Sequence, residues 1–402
     1  MTNTTISFLE KYLGIVMCGL LTIYRNVWRR VFGESKTVKP TQRIVFVKFI
    51  EQGAFVLHLS TFREAEVTYG KENIYICTFA SNKELLLLMQ VVPEANIITI
   101  YEGSITSFAR GFLNSVVKIR TLRIDTAIDL EFFSCASAAF SYLSGCTKRV
   151  GYHRYKGSQN YRGDLFTHRL NYSHYVHLAE SSWTMLKCLE TPVSQLPALN
   201  LKYDEVKNEV LFTPTEQDTL RLNAILNQTQ NQPRIIINPS LNDALPLRKW
   251  PAESYKALVK RLNESFPGHL FIFTGREDEH ELTNRFMDNL GIAHAINLCG
   301  KTSLRDVFTL YSQSKLLVTS DSGPAHFASL TTINSIVLFG PETPELYGPK
   351  CSRTKIVYKK LPCSPCFNAY NNRLSPCSNN ICMQQISVNT VFDLSKEILQ
   401  TK

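Results

Sequence analysis

Residues 316–326 are the part of this chain whose residue types and spacing are best suited to hold an anion. A branched apolar run at 316–318 predicts a buried strand, and a polar turn with a helix start follows it at once. Asp321 and Ser322 are good N-cap residues, and Pro324 suits the first helical turn. Such a turn presents backbone N–H groups at the carboxyl edge of a sheet, where α/β proteins bind phosphate. The contacts predicted here come from Asp321, Ser322, Gly323 and His326.

Two other turns in the second half of the chain follow predicted strands and would meet the first turn at the same edge. Arg248 and Lys249 lie after a strand expected at 234–238, and two adjacent cations there can clamp a diphosphate. Glu277 follows a strand expected at 269–274, and an acid at that position can accept hydrogen bonds from ribose hydroxyls. Each turn alone is also compatible with an ordinary solvated loop. Together the three turns predict a nucleotide-diphosphate site.

The elements that must position these turns alternate between strand and helix, which predicts an α/β protein with two Rossmann-like domains. In the first half we expect strands at 43–49, 73–79, 96–100 and 126–130, and in the second half at 234–238, 269–274, 316–319 and 335–339. Residues 145–175 interrupt this alternation and are expected to form loops. The predicted organisation is an N-terminal helix at 1–32, domains at 43–200 and 215–385, and a C-terminal helix at 386–402.

The composition limits the compartment and the ligands. A chain of 402 residues is too long for one typical core, which favours two domains. Its 44 Lys and Arg against 34 Asp and Glu give a net charge of +10, which suits an anionic small molecule, an acidic membrane surface or nucleic acid. Nucleic acid is not expected as a partner, because no basic low-complexity tract or zinc-finger pattern is present. The 11 dispersed cysteines indicate a reducing compartment, hence the cytoplasm.

The predicted N-terminal helix contains an uncharged, mostly apolar stretch from Tyr12 to Tyr24. This stretch is shorter than the ~20 residues that a membrane-spanning helix needs. Trp28, Arg29 and Arg30 follow it, a pattern typical of an interfacial anchor on an acidic lipid surface. We therefore expect a cytoplasmic protein that associates peripherally with the inner face of the cytoplasmic membrane. The alternative is a helix that packs onto the protein itself.

Four motifs in the second half, taken in order, resemble the signature of glycosyltransferase family 9, the ADP-heptose:lipopolysaccharide heptosyltransferases. They are Arg-Lys-Trp-Pro at 248–251, Leu-Cys-Gly-Lys-Thr-Ser-Leu at 298–304, Asp-Ser-Gly-Pro-Ala-His at 321–326 and Leu-Phe-Gly-Pro at 338–341. The similarity extends over about residues 43–395. It implies a GT-B fold, in which two Rossmann-like domains face each other across a cleft.

The activity that this resemblance implies is inverting, metal-independent sugar transfer with no required cofactor. The donor would be a nucleotide-diphosphate sugar, such as one carrying heptose, and the acceptor lipopolysaccharide or another lipid-linked or polysaccharide molecule. The family's contacts to the donor diphosphate and sugar map onto Asp321, Ser322, Gly323 and His326. Arg248 stands where the family has a phosphate-binding Lys, and Glu277 resembles the nucleoside-binding acid.

The loop after the first predicted strand departs from the family pattern at the general base. The family has Gly-Asp there, whereas this chain has Gly53-Ala54, and Ala cannot take the proton from an acceptor hydroxyl. Glu51 in the same loop is the first candidate for the base, Glu131 the second and His58 the third. A protein impaired in catalysis is the remaining alternative.

A basic and aromatic cluster in the region 145–175 is the candidate acceptor contact. Arg and Lys suit phosphate or acidic sugars, and aromatic faces stack on sugar rings. An ordinary solvated loop is the equal alternative. The residues that we predict to contact the acceptor are His153, Arg154, Lys156 and Arg162.

Cysteines near the C-terminus form the last constellation, with two close pairs that could hold structural zinc tetrahedrally. Their spacing differs from that of a standard zinc ribbon, so a disulfide and free thiols are alternatives. The four residues are Cys363, Cys366, Cys377 and Cys382.

Two other functions fit parts of the same pattern. A nucleotide-sugar epimerase would share the GT-B architecture. A non-catalytic sugar-nucleotide-binding scaffold is suggested by Ala54 in place of the family's acid.

Overall fold

A computed structural model describes residues 10–33, 40–154, 161–204, 210–227, 232–242, 246–288, 290–367, 369 and 375–401. The chain divides into two compact units near residue 205, with Gly53–Leu57 grouped in the second unit and residue 369 in the first. Each unit contains its own six-stranded parallel sheet.

The first unit begins with a π-helical turn, Glu10–Gly14, that continues into helix α1, Ile15–Phe32. One face of α1 packs onto the unit, where Cys18, Leu165 and Phe166 are fully buried together. The opposite face is exposed. The alternative of a helix packed onto the protein therefore holds for one face, and the other face keeps the apolar character that suggested an anchor. Among the described helices, none is both long and apolar enough to cross a membrane.

The first sheet has the strand order β3-β2-β1-β4-β5-β6, with every neighbouring pair parallel. This order is that of the doubly wound nucleotide-binding fold. Its central strand is fully buried along its whole length, because both faces of a parallel sheet are covered. The strands are β1 Ile44–Val47, β2 Ile74–Phe79, β3 Ile97–Ile100, β4 Thr126–Asp129, β5 Lys148–Tyr152 and β6 His168–Leu170.

Two helices of this unit begin at serine caps. Ser104 and Ser134 each accept a hydrogen bond from the backbone N–H three residues later, which fixes the start of α5 and α6. The other α-helices of this half of the chain are α2 Gln52–Leu57, whose residues 53–57 group with the second unit, α3 Leu59–Tyr69, α4 Lys83–Met89, α5 Ile105–Thr121, α6 Cys135–Leu143 and α7 Leu178–Lys187. Short 3-10 turns occupy Lys71–Asn73, Ala80–Asn82, Glu94–Asn96, Cys188–Glu190 and Val193–Gln195.

Strands β5 and β6 correct the expectation that residues 145–175 are only loops. The basic and aromatic residues of this segment suggest a solvated loop, yet the side chains of Lys148 and Arg149 are mostly buried. The Arg149 guanidinium donates to the backbone carbonyl of Leu165 at 2.7 Å, so the interior satisfies its charge by hydrogen bonding.

The second sheet has the order β12-β11-β10-β7-β8-β9, which repeats the topology of the first. One face of this sheet packs against the C-terminal helix, with Trp250, Val318 and Val391 in one buried cluster. The strands are β7 Arg234–Asn238, β8 Leu270–Phe273, β9 Ala295–Asn297, β10 Leu316–Ser320, β11 Asn334–Phe339 and β12 Thr354–Tyr358.

The helices of the second unit include two that bear on the candidate site. Helix α12 is only six residues long, and α15 packs against α9. The α-helices are α8 Glu216–Leu226, α9 Ala252–Ser265, α10 His280–Asp288, α11 Leu304–Ser312, α12 Gly323–Ala328, α13 Pro344–Tyr347, α14 Ile381–Gln384 and α15 Val388–Gln400. Two 3-10 turns lie at Pro246–Arg248 and Glu277–Glu279.

Candidate functional site

The carboxyl ends of neighbouring strands β7 and β10 bring Arg248 and Asp321 together. Asp321 follows β10 directly, and Arg248 ends the 3-10 turn between β7 and α9. Arg248 Nη1 donates to the Asp321 carbonyl oxygen at 3.1 Å and lies 3.3 Å from its carboxylate Oδ2. The turn that carries Arg248 and the turn that begins at Asp321 therefore meet at one corner of the second sheet.

A third residue, which the sequence did not single out, completes this corner. Glu342 follows β11, and its Oε1 lies 3.1 Å from Arg248 Nη2. Asp321 and Glu342 are 4% and 1% exposed, so both carboxyl groups share one guanidinium away from water. Burial raises the pKa of Glu342 to about 8, and the nearby Arg248 opposes that rise in part. Burial also raises the pKa of Asp321.

The sequence predicts that Arg248 and Lys249 clamp a diphosphate, but the structure places two acids against Arg248. Arg248 is tied to two carboxyl groups of the protein, so a diphosphate that binds it must compete with them. One observation could have drawn attention to Glu342: it immediately follows the Gly340-Pro341 pair, at the end of a strand adjacent to β10.

The turn after β10 differs in detail from its prediction. Ser322 is the N-cap residue of α12, but its side chain makes no capping bond and donates instead to the Ser320 carbonyl at 3.1 Å. Pro324 lies in the first helical turn as expected. His326 lies further along α12 and is 6% exposed. A helix this short adds little macrodipole, so any anion held here depends on the N–H groups of the turn.

Lys249 and Glu277 occupy neighbouring loops. The Lys249 ammonium donates to the Leu241 carbonyl at 2.8 Å. Glu277 is exposed and begins the 3-10 turn after β8. Gly300 lies against it with φ +74°, and a Cβ on that residue would come within 2.7 Å of the Glu277 Cα. The loops after β8 and β9 therefore meet at Glu277.

Residues near the C-terminus hold the Arg248 turn in place. Asn380 Nδ2 donates to the Lys249 carbonyl at 2.8 Å, and the Trp250 indole donates to the Ile386 carbonyl at 2.9 Å. A cavity of about 580 Å³ lies beside these contacts and is lined in part by Trp250 and Asn380. The Trp of the Arg-Lys-Trp-Pro motif is thus a buried anchor for the cations before it.

In the first unit, the two candidate acids Glu51 and Glu131 flank Lys48, which the sequence did not identify. Lys48 is 1% exposed, and its ammonium lies 3.0 Å from Glu131 Oε2 and 3.3 Å from Glu51 Oε2. Glu51 keeps about 27% of its side chain exposed and has a left-handed backbone with φ +72°. Of the two acids, Glu51 is the one that solvent reaches.

The contacts of Glu131 differ from those expected of a general base. It is 5% exposed, and its Oε1 accepts the backbone N–H groups of Phe49 and Ile50 at 2.7 and 3.2 Å. Because both carboxylate oxygens serve the loop after β1 and Lys48, we assign Glu131 to positioning that loop and drop it as a candidate base.

His58 does not support its assignment as the third candidate. It is fully buried, and neither ring nitrogen has a hydrogen-bond partner among the described residues. Burial lowers the pKa of His58 well below its usual value, so it is a neutral core histidine.

The predicted acceptor residues that the structure describes differ in their exposure. Arg162 is 1% exposed, pairs with buried Asp129 and donates to backbone carbonyls, including that of Phe132 at 2.9 Å. It therefore supports the interior, which corrects its assignment as an acceptor contact. His153 is half-buried, with its pKa lowered mainly by burial, and Arg154 is exposed. Lys156 lies outside the described residues.

The four C-terminal cysteines form no disulfide bond in the structure. Cys363 and Cys377 are exposed, Cys366 is partly exposed and Cys382 is buried. Within the described part of the chain, no group of three or more His, Cys, Asp or Glu side chains is placed to hold a metal ion.

Comparison with known proteins extends these observations. The lipooligosaccharide heptosyltransferase 2 of Campylobacter jejuni subsp. jejuni serotype O:2 is 28% identical over 38% of this chain and 47% of its own length. The lipopolysaccharide heptosyltransferase 2 of Escherichia coli (strain K12) is 25% identical over 76% of this chain and 84% of its own length. The solved structure of E. coli ADP-heptose LPS heptosyltransferase II shares the fold, with a TM-score of 0.67 at 20% identity over 89% of this chain and 99% of that chain.

The model of glycosyltransferase family 9 (heptosyltransferase) matches residues 116–375. This range is more than half of the chain, and it includes the Arg248 turn, the Asp321 turn and Glu342. The chain belongs to glycosyltransferase family 9.

Proposed function

We propose that this glycosyltransferase is an inverting, metal-independent enzyme of the GT-B type that transfers heptose from a nucleotide diphosphate to a lipopolysaccharide acceptor. The names of the curated relatives support the sugar and the acceptor. The observation that carries the proposal is the corner formed by Arg248 and the Asp321 turn, because it places a guanidinium beside the turn that begins α12, at the carboxyl edge of the second sheet.

Donor binding would divide among the loops of the second sheet. Arg248 and the turn Asp321–Gly323 would hold the diphosphate, and His326 the diphosphate or the sugar. Glu277, exposed on its loop, would accept hydrogen bonds from the ribose. Arg248 would exchange part of its ion pairing with Glu342 for the incoming phosphate, since a guanidinium can bind phosphate through two parallel hydrogen bonds.

In the transfer step, the acceptor oxygen would form a bond to the anomeric carbon while the bond to the diphosphate oxygen breaks. The diphosphate leaves with the electron pair, and Arg248 with the N–H groups of the turn stabilises its charge. Glu51 would take the proton from the acceptor hydroxyl. Its exposure and its place in the loop where the family has an acid support this role.

Glu51→Gln tests this mechanism. We expect transfer to fall by about 100-fold or more, the range attributed to general base catalysis, because the amide cannot accept the proton. Binding of ADP-heptose, measured by calorimetry, should stay unchanged, because Glu51 lies outside the donor loops. Glu94→Gln is the matched control, since Glu94 is an exposed acid paired with Lys83 on the same unit. Transfer at the wild-type rate in the Glu51 variant would remove it as the base.

A non-catalytic sugar-nucleotide-binding protein is the second candidate, because Ala54 replaces the family's acid. Donor binding without transfer in both the wild type and the Glu51 variant would favour this candidate.

The exposed face of α1 supports a contact with the inner surface of the cytoplasmic membrane. Trp28 and the basic Arg29 and Arg30 end this helix and suit the interface with anionic lipids. The apolar residues of this face are all at least half exposed: Tyr12, Leu13, Val16, Leu20, Ile23, Tyr24, Val27, Trp28, Val31 and Phe32.

His153 and Arg154 remain the proposed acceptor contacts in the described structure. The structural zinc suggested by the cysteine spacing stays a prediction, and the proposed reaction does not use it.

A further inference from the structure

The inner face of α1 is fixed to the segment 161–164 by a small set of buried polar contacts. Arg25 is 7% exposed, and its Nη1 donates to both the carbonyl oxygen and the carboxylate of Asp164, each at 2.7 Å. Thr22 Oγ1 accepts from the Asp164 N–H at 2.8 Å. We call the bonds of Arg25 and Thr22 to Asp164 the latch.

The backbone of Gly163 lies directly against the helix. Its φ is +67°, and a Cβ there would come within 2.5 Å of Thr22 Oγ1 and 2.6 Å of the Cys18 carbonyl oxygen. Asp164 also pairs with Arg169 on β6, so the latch joins the helix to the edge of the first sheet. The segment and the helix therefore form one packed body.

The segment 161–164 is also connected to the loop after β1, which carries the candidate base Glu51. Arg162, two residues before Asp164, pairs with Asp129, and Asp129 Oδ1 accepts the Glu131 N–H at 3.0 Å. The Glu131 carboxylate in turn holds the backbone of Phe49 and the Lys48 ammonium. Buried contacts thus run without a gap from α1 to the loop of Glu51, all inside the first unit.

We propose that α1 positions the acceptor side of the active site through the latch, so that the lipid-facing helix and the Glu51 loop are held as one body. This proposal rests on the proposed function. A lipid-linked acceptor would meet the outer face of α1 with its apolar part while its sugar reaches the edge of the first sheet. Arg25 and Asp164 are positioning residues in this scheme, because neither touches substrate.

Arg25→Gln and Asp164→Asn test the latch. Amide hydrogen exchange on the protein alone should become about tenfold faster at residues 161–165 and also at Phe49 and Ile50, since their N–H groups depend on Glu131. With ADP-heptose and a heptose-deficient lipopolysaccharide, KM for the acceptor should rise about tenfold while KM for the donor stays within twofold.

Two further variants guard against simple misfolding. Arg25→Lys should restore both readouts in large part, because one nitrogen of Arg25 makes both bonds to Asp164. Arg110→Gln is the matched control, since Arg110 is an exposed arginine on α5 of the same unit and should change neither readout.

Unchanged exchange at Phe49 and Ile50 in both latch variants would overturn the proposal, as would faster exchange with an unaltered acceptor KM. If the wild type transfers no heptose, the proposed function fails. The exchange at Phe49 and Ile50 then still decides whether α1 supports the Glu51 loop.

Discussion

Arg248 shares its guanidinium with two buried acids, and this sharing makes the donor corner sensitive to protonation. With Asp321 and Glu342 both ionised, the three groups carry one net negative charge, which repels a diphosphate. With Glu342 protonated they are neutral. Burial raises the pKa of Glu342 to about 8, so the protonated form dominates at neutral pH. Protonation of Glu342 would also remove one of the two ion pairs that hold Arg248, leaving its pair with Asp321.

Diphosphate binding should therefore weaken as the pH rises through 8. Calorimetry with ADP between pH 6.5 and 9 should show a loss of affinity of about tenfold in the wild type, equivalent to roughly 1.4 kcal/mol. Glu342→Gln should flatten this dependence because the amide does not titrate. Glu345→Gln is the matched control, since Glu345 is exposed on the following helix and pairs with Lys360. A pH profile that is identical in the wild type and the Glu342 variant would contradict this assignment.

The free energy of unfolding should also fall as the pH rises. The folded protein holds the Glu342 proton between the ordinary glutamate pKa and about 8, whereas the unfolded chain has released it. Glu342 therefore contributes a free energy of unfolding that falls as the pH rises across this window. The Gln variant should lack that slope, which chemical denaturation at several pH values would measure.

At the scale of elements, strands with continuous apolar sequences were predictable and strands with charged sequences were not. The apolar runs at β1 and β10 pointed to buried parallel strands, and the structure confirms them. Strand β5 was missed because the basic and aromatic residues of 145–175 suggest a solvated loop, and only the tertiary structure shows that Lys148 and Arg149 are buried. Lys48 was missed because the prediction placed it inside the strand at 43–49, and only the tertiary structure shows its pairing with Glu131. The meeting of Arg248 with Glu342 depends on strand order, which no local pattern contains.

Helix α1 illustrates how one element can have two roles. Removing it would uncover Leu165 and Phe166 and break the latch, so its deletion cannot separate lipid binding from folding. Substitutions on the outer face can.

Leu20→Gln combined with Ile23→Gln should reduce binding to anionic vesicles by more than tenfold in a sedimentation assay. Each exposed side chain that enters the lipid interface contributes up to about 1.5–3 kcal/mol, and Gln loses that term. The melting temperature should stay unchanged, because both residues are more than 60% exposed. Leu113→Gln with Val117→Gln on α5 is the matched control, with side chains of similar exposure. Full retention of vesicle binding in the α1 variant would argue against this helix as the anchor.

At the scale of the whole molecule, the two sheets have the same topology and carry different parts of the proposed site. The second sheet carries the proposed donor residues, and the first carries Glu51, Lys48 and the support of α1. A nucleotide sugar should therefore stabilise the second unit, because a ligand that binds only the folded state shifts unfolding by mass action.

A thermal-shift screen of nucleotide sugars checks this division. ADP-heptose at about 100 times its dissociation constant should add roughly 2.7 kcal/mol and raise the melting temperature by several degrees. Adenosine without phosphates should give a much smaller shift, because it cannot engage Arg248. No response to any nucleotide sugar would contradict the donor site.

The distribution of thiols offers a way to watch the donor loops directly. Eight of the eleven cysteines are buried, and the three that solvent reaches lie at 363, 366 and 377. A maleimide dye would therefore attach to the native cysteines of this stretch, so no cysteine has to be introduced or removed. A label on Cys377 would lie a few residues from Asn380, whose amide donates a hydrogen bond to the turn that carries Arg248. Fluorescence from the native chain could then follow the arrival of the sugar nucleotide in real time.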